Sequence, residues 1–152
     1  MTTAIADARP FPVPPMAPVA TVDVPDDWRP TATADGVEAA AANGAVRLAV
    51  RFIHAADAAS AAAAAIASLG RFGVSPAPGS RRASSRRYNG LEALKVDYSG
   101  TDPNGESDIT TIVFAMPSMA GFVAVSYWGD DEAQEAVAND LQAIAESLAP
   151  AR

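Results

Sequence analysis

Four turn signals, Asn43-Gly44, Asn89-Gly90, Pro103-Asn104-Gly105 and Pro117-Ser118-Met119-Ala120, each lie between runs of strand-forming residues. Connections this short join only neighbouring strands that run antiparallel. A chain punctuated in this way is confined to antiparallel sheet, and helices can enter only where the alternation stops.

Seven runs carry strand signals. Ala20 to Val24, Gly36 to Ala41 and Ala45 to Ile53 come first, and the last of these separates Val46, Leu48, Val50 and Phe52 from Arg47, Ala49 and Arg51. Arg82 to Tyr88, Leu91 to Ser99, Asp108 to Met116 and Gly121 to Trp128 follow, the last two rich in β-branched and aromatic residues and so suited to the sheet centre. Grouped across strands, Arg47, Arg51, Lys95 and Asp97 fall opposite Val46, Leu48, Val50, Leu94, Val96 and Tyr98. One helix-packed face and one polar open face are therefore expected.

Two segments break the alternation. Asp57 can cap a helix through the alanines to Leu69, held by close packing of small side chains, and Asp130 can cap a helix to Leu148 with Ala133, Val137, Leu141, Ile144 and Leu148 at helical spacing. The order βββαββββα predicts an α+β domain with an antiparallel sheet of six or seven strands flanked by two helices. Its expected bounds are residues 20–149. Residues 1–19 are expected to form a proline-rich extended leader, a tail or tether, because Arg9 to Pro18 is dense in residues that lack an amide donor. Length fits one domain: 152 residues bury a sizeable core.

Charge excludes several functions. Eleven Lys plus Arg against eighteen Asp plus Glu gives a net charge of −7, poor equipment for neutralising phosphates, so neither nucleic acid nor an anionic membrane surface is an expected partner. No cysteine is present, which removes disulfides, thiolate nucleophiles and Cys-ligated zinc. The longest apolar run, Ala58 to Leu69, is far short of the roughly 20 apolar residues that span a bilayer. No signal peptide is written at the N-terminus, so the chain reads as cytoplasmic as it stands and as periplasmic if it is a processed form. Alanine richness and arginine in place of lysine fit a bacterial source. Nothing implies a cofactor or a metal, and nothing signals an oligomeric state.

Against that acidic background Arg81, Arg82, Arg86 and Arg87 concentrate positive charge within seven residues. Their planar forks suit carboxylate or phosphate, which makes them the candidate binding residues; the plainer account is an edge strand kept from aggregating by charge. His54, the sole histidine, stands three residues before Asp57 and near Ser60, the raw material of a His-Asp-Ser arrangement. A helix-entry role explains it more simply, and no Gly-x-Ser-x-Gly elbow accompanies it. The acidic run Asp130 to Glu135 is accounted for by helix-start electrostatics, and Asp102 to Glu106 by turn chemistry.

The element order, the Pro25-Asp26-Asp27-Trp28 turn, the Tyr88 to Gly100 glycine-turn-strand segment and the Gly121 to Trp128 strand before a terminal helix together resemble the superfamily shared by the photosystem II protein PsbP, the Ran-binding Mog proteins and bacterial DcrB-like proteins. The resemblance covers about Val22 to Leu148 and implies a sheet flanked by helices that binds proteins rather than catalysing. One branch, the Eag-type chaperones of type VI secretion, holds apolar effector helices against the sheet. That role would need Ile109, Val113, Phe122 or Trp128 on an open face. No functional residue carries over. The expected function is a non-catalytic protein-binding or accessory module; an effector chaperone, and then a hydrolase using His54, are the alternatives.

Overall fold

Tyr88 and Leu91 close a two-residue hairpin because Asn89 (φ 50°) and Gly90 (φ 86°) both adopt the positive φ that a type I′ turn demands. That hairpin belongs to a sheet built from most of the chain. The computed structural model describes residues 8–116 and 121–151. In chain order they form β1 (Ala8–Val13), β2 (Ala20–Pro25), β3 (Thr31–Ala32), β4 (Gly36–Ala40) and β5 (Arg47–Ile53). Next come α1 (Ala58–Ser68), β6 (Ser75–Pro76), β7 (Arg82–Tyr88), β8 (Leu91–Asp102), β9 (Gly105–Ala115) and β10 (Phe122–Gly129). Helices α2 (Asp131–Ala136) and α3 (Ala138–Ser147) and a short β11 (Ala149–Pro150) complete the chain. The fold class is α+β, as the turn signals require.

The main sheet runs β3-β4-β5-β10-β9-β8-β6, and β7 also pairs with β8. Every pairing is antiparallel. Six long strands carry it, with two-residue β3 and β6 added at its margins. A second sheet, β1-β2-β11, lies outside it. The proline-rich segment is extended, as expected, but from residue 8 to 13 it pairs with β2 and buries Val13 completely. It is a strand of the fold and not a free tether. An edge strand tolerates proline where the missing donor faces away from its neighbour, and Pro10 and Pro12 share one parity.

Register corrects the expected distribution of charge. Across β5, β10, β9 and β8 the row Leu48, Tyr127, Thr110, Asp97 lies on one face, so Asp97 and Lys95 share a face with Leu48 and Val50. Arg47 and Arg51 share the other with Val96 and Val113. Within each strand the parity is as read; the parity between strands is not, because it depends on loop lengths that set which residues pair.

The expected polar open face is likewise absent among the described residues, since packed elements cover much of both faces. On one, Ala61, Ala62 and Ala65 of α1 pack against Ile53, Val96, Val113 and Ala124, all under 10% exposed. On the other, Val22 and Val24 of β2 and Leu141, Ile144 and Leu148 of the C-terminal segment pack with Leu48, Val50, Ile112, Phe114 and Val125. The small sheet is the layer that the sequence reading did not anticipate.

Local chemistry shapes the ends of the elements. Asp57 caps α1 by accepting from the Ser60 amide at 2.7 Å, and Asp130 caps α2 by accepting from the Ala133 amide at 2.7 Å. The terminal helix is not continuous from Asp130 to Leu148: it breaks at Val137 (φ −117°, ψ 21°). Each half keeps its own anchor. Gln134 of α2 donates to the Asp108 and Gly129 carbonyls, and Ser147 of α3 accepts from the Asp23 amide. Asn43-Gly44 also departs from a two-residue turn. Only Gly44 has positive φ, the Asn43 side chain accepts from the Ala45 amide two residues on, and the loop closes one step wider through Ala41 and Val46. The turn expected at Pro117 to Ala120 lies outside the described residues.

Trp28 joins the layers. It ends a short 3-10 turn after β2, is 1% exposed, and donates its indole N–H to Asp140 on α3 at 3.0 Å. Replacing it by alanine empties the seam between β2, α3 and the sheet, and Trp28→Ala is expected to cost about 3–5 kcal/mol in chemical denaturation. Asp140→Asn, which leaves the packing intact, is expected to cost far less.

Candidate functional site

Strand β7 reads Arg-Ala-Ser-Ser-Arg-Arg-Tyr and is exposed along its whole length except at Ser84 and Tyr88. Among the described residues it pairs with β8 on one side only. The continuous register from Arg82 opposite Asp97 to Tyr88 opposite Leu91 settles which way its backbone points. Residues flanking a two-residue turn exchange both backbone bonds, so Tyr88, Arg86, Ser84 and Arg82 turn their amides towards β8. Arg87, Ser85 and Ala83 turn theirs outward. The Arg86 guanidinium donating to the Ser85 carbonyl at 3.3 Å agrees with that direction.

The four candidate arginines are all exposed, but they do not share one face. Arg82 and Arg86 lie on the face of Lys95 and Thr110, and Arg87 on the face of Leu94 and Val113. Arg81 precedes the strand. Arg87 pairs with Glu92, directly across the hairpin, at 3.2 Å; both side chains are mostly in water, so the pair contributes little. Among the described residues Arg81, Arg82 and Arg86 have no ion-pair partner. Beside Ser85 and Arg87 the sheet face is left uncovered by α1. A groove of about 590 Å³ opens there, with Leu94, Val113, Ala115 and Ala58 among its lining and Arg86, Arg87 and Glu92 at its margin.

On the opposite face three strands assemble a polar cluster that no sequence pattern announced. Thr110 donates to Asp97 at 2.6 Å, and Tyr127 stands directly opposite Thr110 in the ladder. Burial pushes the Tyr127 phenol up to about 12, the Thr110 contact working the other way. Burial also raises Tyr88, with the nearby Arg86 cation opposing it. Below the cluster Asp108 is raised, first by burial and then by the negative charge of Asp131; Asp97 and Asp130 add to it. The only sequence hint was several carboxylates near one helix start, and it could not have told which of them meet.

The His-Asp-Ser possibility is not assembled. His54 is exposed and packs edge-on to Phe52 at 4.6 Å, while Asp57 is occupied as a helix cap through the Ser60 amide. Among the described residues His54 has no hydrogen bond to either. That capping bond is what holds the Asp57 carboxyl below its ordinary value. Asp102 accepts from the Asn104 amide at 2.7 Å, as turn chemistry requires. No group of three or more potential metal ligands occurs among the described residues. Nor does an apolar cradle: Ile109, Val113 and Trp128 are buried and Phe122 half-buried on the face under α1, and among the described residues Met16 is the only large hydrophobic side chain exposed.

No protein-family model matches the chain, and no curated protein matches it in sequence. Solved structures do match in shape. LpqN, involved in cell envelope biogenesis of Mycobacterium tuberculosis, superposes with a TM-score of 0.59 at 16% identity over 95% of this chain and 92% of its own. Cyanobacterial PsbP (CyanoP) from Synechocystis sp. PCC 6803 gives 0.62 at 12% identity over 99% and 96%. The fold is therefore PsbP-like. At these identities the likeness establishes architecture alone.

The Asp108 cluster has a thermodynamic consequence. A carboxyl raised in the folded state binds its proton more tightly there than in the unfolded chain, so its contribution is most favourable below the ordinary value of 3.8. That stability is lost as pH rises through the ordinary value to the raised one. Asp108→Asn is expected to raise the thermal midpoint at neutral pH, with the gain shrinking on acidification. A variant melting below the wild type at neutral pH would show that the Asp108 carboxylate is stabilising.

Proposed function

We propose that the chain is a non-catalytic protein-binding or accessory module whose contact surface is the arginine-bearing edge strand β7. One observation carries the reading: among the described residues Arg82 and Arg86 stand exposed without counter-ions on a free sheet edge, with Arg81 just before it, in a chain whose net charge is −7. Guanidinium groups in that setting are poised for carboxylates. The exposed His54 and the capping role of Asp57 support a non-catalytic reading. LpqN and CyanoP support it only through their shared fold. No helix among the described residues is long and apolar enough to cross a membrane. The covered apolar faces do not favour an Eag-type chaperone for a secreted effector.

Charge reversal tests the surface. Arg86→Glu combined with Arg87→Glu alters exposed side chains whose only ion pair is weak, so stability is expected to change by no more than an ordinary surface substitution, about 0.5 kcal/mol, and the thermal midpoint to stay nearly unchanged. Capture of the native partner in a pull-down is expected to fall sharply. Equal capture by wild type and variant would reject the proposal.

A further inference from the structure

The structure assigns β7 as a docking edge for an extended segment of another protein in which acidic and apolar residues alternate, added to the sheet as a further strand. This rests on the protein-binding reading above and specifies its partner's chemistry.

Three features converge. The outward amides and carbonyls of Ala83, Ser85 and Arg87 form a row with no strand partner among the described residues, on a strand seven residues long. Neither proline nor bulge interrupts it, and two of the three outward positions carry small side chains that let another backbone approach. Charge selects the occupant. Pairing β7 with a second copy of itself would crowd like charges on each face, with Arg86 diagonal to its own counterpart even in the register centred on Ser85, whereas a strand with carboxylates at alternate positions meets Arg82 and Arg86 on one face. The remaining positions of such a strand fall on the other face, beside Ser85 and Arg87. There the groove begins, and the half-buried Leu94, across from Ser85, is the nearest apolar side chain an incoming residue would meet. Edge and groove therefore ask for one alternating pattern. The Arg86 bond to the Ser85 carbonyl occupies an acceptor that an incoming amide would take, freeing the guanidinium for a carboxylate.

The test uses a synthetic peptide of about eight alternating Glu and Val residues, the usual span of a strand, against the whole chain, read by fluorescence anisotropy and amide hydrogen exchange. Binding is expected for Glu/Val and not for Lys/Val, with slowed exchange at Ala83, Ser85 and Arg87. Ser85→Pro removes an outward amide that β8 does not use, so the fold is expected to persist while peptide affinity falls about tenfold or more. A second reagent avoids dependence on that variant: a Glu/Val peptide N-methylated at alternate residues keeps its charges but cannot pair along the edge, and is expected not to bind the wild type. Equal binding of methylated and plain peptides, without protection of the three amides, would overturn strand addition while leaving a charged contact surface intact. No binding of the plain peptide would also overturn it, and only unchanged partner capture by the charge-reversed variant would overturn the wider reading.

Discussion

Thr111 and Ser126 face each other across β9 and β10 with their hydroxyls 2.9 Å apart, both residues under 6% exposed. The pair lies among apolar side chains, so each hydroxyl depends on the other. A one-residue slip of the ladder would separate them, leave two buried polar groups unmatched, and exchange the faces of every neighbouring side chain. Most of the structure inherits that register. It places Val113 and Ala124 beneath α1, sets Val125 and Ile112 against the C-terminal helix and the small sheet, and aligns Thr110 with Asp97. Among the described residues no buried side-chain nitrogen or oxygen lacks a partner.

The sequence makes local structure legible where one residue type has one physical use. Asn89-Gly90 demands a tight hairpin because both residues tolerate positive φ; Asp57 and Asp130 cap because their carboxylates stand three residues ahead of an orphan amide. Alternation within β5 and β8 is equally plain. The relation between strands is not, since Leu48 and Asp97 share a face only through two intervening strands whose loops determine the pairing. The same limit hid the contact of Tyr127, Thr110 and Asp97, which come from three strands, and the meeting of Asp108 with Asp131. Polyproline character in β1 pointed to an extended conformation, yet extension alone does not reveal a neighbour. Charge alone singled out the arginines; the free edge, the outward amides and the adjoining groove became visible only with the pairing of β7.

Arginines on an edge strand serve two ends through one property. A row of like charges prevents identical edges from stacking, which protects an exposed ladder from aggregation. The same row lowers the free energy of an oppositely charged neighbour. Protection and recognition are therefore not competing accounts of Arg82 to Arg87, and the distinction between them lies in the backbone and the groove beside it. The paired Arg87 and Glu92 mark the hairpin end of the strand, where the positive row stops.

The small sheet has a mechanical corollary. β1 begins with Ala8 beside Pro25, while β11 ends with Pro150 beside Ala20, so the two outer strands run the same way along β2 and leave it at opposite ends. Tension applied between Ala8 and Ala151 would be directed along the strands and would load their hydrogen bonds together instead of unzipping them one after another. With only two residues paired, β11 is the element that yields first, followed by detachment of α3 from Trp28 and Asp23. Edge strand β7 lies at the far margin of the main sheet from β4 and β5, the strands that β1 packs against, and stays outside that line of force.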